Sequence, residues 1–227
     1  MLDLDLADLS VTVAGLPAPV LAIGRLSVRG GTQLAVTGAS GSGKSTLVNI
    51  VSGLDRPTQG VVAWSGMDIA GLGEGARDRW RAANAGLVMQ EFHLFPGLSA
   101  LDNILLPARL ARRCSALLEA RARLLLDRVG LDRPRQDVAT MSRGQMQRVA
   151  VARALLMKPG VIIADEPTAS LDPAAGALVA DLLVELAAED GATLIAVTHD
   201  DRLVARMGRV IRLAGGRIET DGGEKAS

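Results

Sequence analysis

The chain has 227 residues, 48% of them hydrophobic, enough for one large α/β domain or such a domain with a smaller helical insertion. Lys plus Arg and Asp plus Glu each number 25, giving a formal net charge of zero, so no global basic excess points to a nucleic-acid partner. One cysteine, Cys114, excludes an intrachain disulfide framework and a cysteine-rich metal site, and reads as a plain thiol of a cytosolic chain.

The opening "MLDLDLADLS" is acidic and alternating where a signal peptide would be basic and then apolar. Leu2, Leu4 and Leu6 alternating with Asp3 and Asp5, then "VLAIGRLSV" leading through Gly30 and Gly31 to "QLAV", predict a β-rich start. No uninterrupted apolar run approaches the roughly 18 residues that span a bilayer. A membrane role therefore needs a partner.

Residues 34 to 52 predict strand, glycine loop and helix. "GASGSGKST" at 38 to 46, between an apolar strand and the apolar "TLVNIVSGL", has both the letters and the context of a phosphate-binding loop. Gly38, Ala39, Ser40, Gly41, Ser42 and Gly43 form the cradle. The glycines let backbone amides converge on phosphate oxygens, and the following helix aims its positive end at the same anion. Lys44 reaches the β and γ phosphates, Ser45 offers a hydroxyl to Mg²⁺, and Thr46 adds a phosphate contact.

Further on, Gln90 follows an apolar strand, and His93 reads as an exposed loop residue. Residues 97 to 158 read as mostly helical, with Pro107 and Pro134 as breaks, which predicts a helical subdomain inserted in the α/β core. Its last helix begins at "MSRGQ", residues 141 to 145, where Ser142 can cap and Gly144 permits close backbone approach.

"VIIA" at 161 to 164 and "TLIAV" at 193 to 197 predict strands buried on both faces, hence a parallel sheet. Asp165 and Glu166 end the first of these, at the edge where open parallel sheets bind ligands. Asp165 is expected to hold the Mg²⁺ shell and Glu166 to polarise a water attacking the γ phosphate. Asp172 before Pro173 predicts a helix N-cap. His199 follows the second strand and can project into the same crevice, although alone it reads as a structural histidine. "RVIRLAGGRIETDGG" predicts a hairpin at Gly215 and Gly216 and then a frayed end.

Taken in order, "GASGSGKST", Gln90, "MSRGQ", "DEPTASLD" and His199 resemble the nucleotide-binding subunit of an ATP-binding cassette (ABC) protein, over nearly the whole chain. "GLDRPTQG", "QEFHLFPGLSALDNILLP" and "IIADEPTASLD" resemble more narrowly the branch of lipoprotein-release, macrolide-efflux and cell-division ATPases. The resemblance implies a P-loop NTPase core with an N-terminal antiparallel β subdomain and an inserted helical subdomain, in one ABC ATPase domain over 1–227.

It also implies two cassettes, as a homodimer or a paired cassette, closing head to tail on two ATP molecules. One subunit would supply the phosphate loop, Asp165, Glu166, Gln90 and His199, and the other Ser142, Gly144 and Gln145. His199 would contact the γ phosphate and orient Glu166, Gln90 would sense Mg²⁺ or water, and Asp172 would cross the interface. A transmembrane permease would receive the motion near Gln90 to Pro96, placing the chain at the cytoplasmic face of the membrane.

Two positions depart from the family pattern. The region that usually carries an adenine-stacking aromatic offers only Val11 or Val13, and the chain has no tyrosine, so base discrimination is expected to be weak. Arg143 replaces a glycine of the signature; it is expected to be tolerated, with Arg143→Gly leaving hydrolysis within a few-fold. The alternatives are a regulatory cassette with little turnover and a soluble cassette acting on DNA or ribosomes.

Overall fold

The computed structural model describes residues 1–223; part of the expected frayed end falls on 224–227, outside the described residues. The alternating N-terminus forms β1 (Leu4–Val11), and it pairs antiparallel with β2 (Leu21–Val28) and with β4 (Gln59–Trp64). With the short β5 (Met67–Asp68) they make a four-stranded antiparallel sheet. Period-two patterning aims Leu4 and Leu6 at the core with Asp3 and Asp5 outside, and an irregularity between Ala7 and Ser10, where Asp8 has φ 49°, turns Leu9 inward and leaves Asp8 exposed.

The larger sheet has six strands in the order β10-β9-β3-β8-β7-β6. Here β3 is Gln33–Gly38, β6 Ala85–Val88, β7 Val161–Asp165, β8 Thr193–Val197, β9 Arg209–Ala214 and β10 Arg217–Asp221. Every pairing is parallel except the terminal β9–β10 hairpin, which turns through Gly215 and Gly216. Both carry positive φ, 52° and 75°, the conformation a two-residue hairpin turn demands. The buried runs of β7 and β8 are central strands of this sheet, as their lack of alternation predicts.

Two apolar cores lie against the sheet. One joins it to the antiparallel sheet and to α1 (Lys44–Val51), and includes Trp64 stacked on Trp80, ring centroids 6.1 Å apart. Trp80 belongs to α2 (Glu74–Asn84). The other gathers α3 (Ala100–Leu110), α4 (Ala116–Arg128), α5 (Arg143–Leu155) and α6 (Pro173–Glu189). α7 (Asp201–Arg206) closes over it through Leu203. The helical stretch thus shares a core with β7 and α6 rather than owning a separate one.

Pro107 does not break a helix as expected, because α3 runs through it. A proline in the last turns removes a single ladder bond, and Ile104, Leu105 and Ala108 are buried around it. Asn103, one turn earlier and fully buried, donates to the carbonyls of Phe95, Leu98 and Ser99 and accepts from the Phe95 amide. That network fixes α3 to the loop after Gln90 and holds the helix through the proline. Pro134 lies in a loop, as expected.

Candidate functional site

β3 delivers the chain into the phosphate loop, and α1 leaves it. Gly38 must be glycine: its φ is 150°, and a Cβ there would stand 2.3 Å from the Leu213 carbonyl oxygen. Gly43, φ 99°, is the N-cap of α1 and offers no side-chain cap, so the first amides of α1 face the loop and not a side chain of their own. Lys44 folds back to donate to the carbonyls of Gly38 at 2.8 Å and Ala39 at 3.0 Å.

The loop opens on a cavity of about 500 Å³ lined by Gly38, Ser40, Gly41, Gly43, Lys44, Ser45, Thr46, Gln90, Asp165, Glu166 and His199. Four segments remote in sequence meet there because β3, β6, β7 and β8 all end at one edge of the sheet. Ala39 lies on the loop but not on the cavity wall, and Ser42 is buried behind it.

Asp165 is pushed to a higher pKa, first by burial and further by the neighbouring Glu166 charge, while a Ser45 hydrogen bond and the Lys44 charge pull the other way. Its Oδ1 is buried without a hydrogen-bond partner among the described residues. A buried carboxylate oxygen with no donor, beside a serine hydroxyl, is the environment a hard cation relieves. The donor set of Asp165, Ser45 and Gln90 therefore fits Mg²⁺ held chiefly by nucleotide phosphates.

Glu166 sits one residue beyond β7 with φ 47°, a left-handed conformation rare for a residue with a side chain. Its amide donates to the Val197 carbonyl at 2.8 Å, which pins the turn to the end of β8. The His199 Nδ1 lies 2.8 Å from Glu166 Oε2, and the His199 amide donates to the same oxygen at 3.3 Å. The histidine side chain is 70% exposed and the glutamate 14%. Glu166 is thus oriented into the cavity by a residue that itself faces solvent.

Ser142, Gly144, Gln145 and Asp172 lie elsewhere. They line a separate hollow of about 280 Å³ between the start of α5 and the start of α6. Ser142 Oγ accepts from the Gln145 amide while Gln145 Oε1 accepts from the Ser142 amide, a closed capping box. Asp172 caps α6 by accepting from the amides of Ala174 and Ala175, with Pro173 as the first helical residue. Both caps match the sequence expectation.

Neither valine expected near a base lines the cavity: Val13 is exposed and Val11 packs against the first core. Val20, at the entry to β2, lines it instead, and so does Ala169. Val20 reaches the loop because its carbonyl crosses Gly43 at 2.8 Å from a built Cβ. Sequence spacing gives no sign of that approach.

A phosphate loop between a parallel strand and a helix, with an acidic pair at the end of β7, one strand removed from β3 across β8, defines a P-loop nucleoside triphosphatase. Residues 23–169 match the family model described as ABC transporter. The chain is 43% identical over 204 residues to the lipoprotein-releasing system ATP-binding protein LolD of Hydrogenovibrio crunogenus, covering 89% of each. It is 44% identical over 197 residues to the uncharacterized ABC transporter ATP-binding protein YbbA of Escherichia coli K12, covering 86% of each. Among solved structures it is similar to the dimeric ATP-binding cassette MJ0796 bound to ADP and Pi, with TM-score 0.88, 33% identity and 99% of both chains covered. The chain belongs to the ABC transporter family, as its ATP-binding, ATP-hydrolysing subunit, and the relatives named LolD match the branch of lipoprotein-release, macrolide-efflux and cell-division ATPases that the sequence resembles.

Proposed function

We propose that two copies of this cassette, or one copy and a paired cassette, close head to tail on two ATP molecules and that hydrolysis reopens them to drive a transmembrane permease. The observation that carries this reading is the division of the candidate residues between two separate hollows of one chain. The phosphate loop, Gln90, Asp165, Glu166 and His199 form one half-site. Ser142, Gly144, Gln145 and Asp172 form the other half, on the helical subdomain at about 97–158 and the turn beside it. Each complete site takes one half from each subunit, so hydrolysis is conditional on closure.

Within a closed site the amides of the loop and of α1 hold the β and γ phosphates, and Lys44 leaves its own carbonyls to pair with them. Ser45, Asp165 and Gln90 would hold Mg²⁺, which would supply neutralisation of phosphate charge when bound. Glu166 accepts the proton of the attacking water, and His199 keeps the Glu166 carboxylate aimed while its second ring nitrogen remains available to the γ phosphate. The α5 N-terminus of the partner adds backbone amides from across the interface.

The permease docks where a groove of about 510 Å³ runs between α2, β6, α3 and α5, lined by Gly86, Leu106, Pro107, Leu110 and Met157 among others. Arg153 lines the groove and donates to the Phe92 and His93 carbonyls, which joins it to the Gln90 loop. With such a partner the chain would sit on the cytoplasmic face of the membrane; no helix among the described residues is long and apolar enough to cross.

Glu166→Gln tests the reading. It should keep ATP binding, trap an ATP-bound dimer and lower hydrolysis by about 100-fold or more, the usual loss for a positioned base. Unchanged turnover in dimer-competent protein would remove Glu166 from the catalytic role.

A further inference from the structure

The Arg143 guanidinium carbon stands 5.0 Å from the centroid of the Phe92 ring, within the range of a cation–π contact. The chain has only two phenylalanines, two tryptophans and no tyrosine. Trp64 and Trp80 stack on each other in the core, and Phe95 is exposed. Phe92 is 9% exposed. It lies two residues beyond Gln90, and its carbonyl accepts from Arg153 Nη2 at 2.8 Å while the His93 carbonyl accepts from Arg153 Nη1 at 2.5 Å. Helix α5 therefore grips the Gln90 loop twice, by the ring from its first residue and by the backbone from its last turn.

These two grips connect different ATP sites under the two-cassette reading, on which this inference rests. Gln90 faces the cavity of its own subunit's phosphate loop, whereas the start of α5 faces the partner's ATP. We propose that Arg143 is a positioning residue: through Phe92 it ties the signature turn presented to one ATP to the Gln90 loop that faces the other, so that filling one site sets the signature's pose at the second. A glycine at position 143 has no side chain to reach the ring. The arginine thus supplies a link that a glycine at this position lacks, and its place over the Phe92 ring also explains how a long cation fits between Ser142 and Gly144. Arg143 lines the hollow at the start of α5 and not the cavity of Lys44, Glu166 and His199.

Steady-state hydrolysis by the full chain across ATP concentrations tests the link, using Arg143→Gly, Phe92→Leu, the double variant and Phe92→Trp. The unmodified chain should respond cooperatively, with a Hill coefficient above 1 and at most about 2, the number of coupled sites. Arg143→Gly and Phe92→Leu should each lower the coefficient toward 1 and raise the half-saturating ATP concentration about two- to fivefold, the size of an exposed cation–π contact. The double variant should be no worse than either single one, because both remove the same contact. Phe92→Trp, which keeps a ring, should retain cooperativity.

Unaltered cooperativity in Arg143→Gly, additive losses in the double variant, or equal damage from Trp and Leu at position 92 would overturn the proposal. Arg143→Gly, at an exposed helix start, keeps the test decisive if Phe92→Leu folds poorly. A non-cooperative unmodified chain whose Glu166→Gln form stays monomeric with ATP would overturn the two-cassette reading itself. Retained dimerisation with an indifferent Arg143 would overturn only the link.

Discussion

Glu166 holds a left-handed backbone, φ 47°, at the end of a buried strand, and residues of this kind concentrate where geometry serves chemistry. Its neighbour Asp165 is a second strained group, since Oδ1 is buried without a partner. Asp165→Asn replaces that carboxylate with a neutral amide, so the nucleotide-free chain should melt at a higher temperature while Mg²⁺-dependent ATP binding weakens. A lower melting temperature would show that the carboxylate is satisfied in the folded state. Asp200 behaves in the opposite sense. The Arg202 hydrogen bond and then the Arg202 amide and Thr168 hydroxyl lower its pKa to about 2, against an opposing contribution from burial. A depressed carboxylate stabilises the fold above its ordinary value of 3.8 and loses that contribution as pH falls toward about 2. The melting difference between the native chain and Asp200→Asn should be full near neutrality and shrink through that acidic window. Val20 lines the cavity with an apolar side chain, and the lining includes no aromatic ring, so GTP should compete well with ATP in a binding titration; a strict ATP preference would show that something other than Val20 reads the base.

Among the elements, α5 carries the most connections. Its capping box closes the signature turn, Gln147 donates to the Pro167 carbonyl at 2.8 Å beside Glu166, and Arg153 holds the Gln90 loop. Ser142→Ala removes the cap, which should destabilise the chain by about 1 kcal/mol in denaturant unfolding and also lower hydrolysis. A stability loss with no loss of turnover would confine Ser142 to capping. The same helix shows where sequence reading works. Ser142 announces a helix cap, and Asp172 with Pro173 announces the start of α6, because both are local chemistry; the reciprocal Gln145 bond is added by the structure. The strands β7 and β8 are legible for the same reason. By contrast α2 left no apolar period: "EGARDRWRAAN" is held by Trp80 and by Arg77, whose Nε donates to the Gly53 carbonyl at 2.9 Å. Pro107 inside α3 was legible only as a break, since the Asn103 network that holds the helix is tertiary. Val20 likewise enters the cavity by a chain crossing that no local pattern records.

At the scale of the molecule, the six-stranded sheet collects the ends of β3, β6, β7 and β8 on one edge and leaves the signature turn on a separate surface. On the two-cassette proposal these surfaces are two unlike halves of a site, and a second chain would bring unlike halves together. The solved relative MJ0796 is itself dimeric. Complementation tests the composite site most directly. A Lys44→Ala chain keeps its signature half, and a Gly144→Asp chain keeps its phosphate-loop half; each alone should hydrolyse ATP poorly. Mixed together, they should regain hydrolysis, because the heterodimer contains one intact composite site. No recovery on mixing, in proteins shown to form heterodimers, would contradict the account, as would full hydrolysis by Gly144→Asp alone.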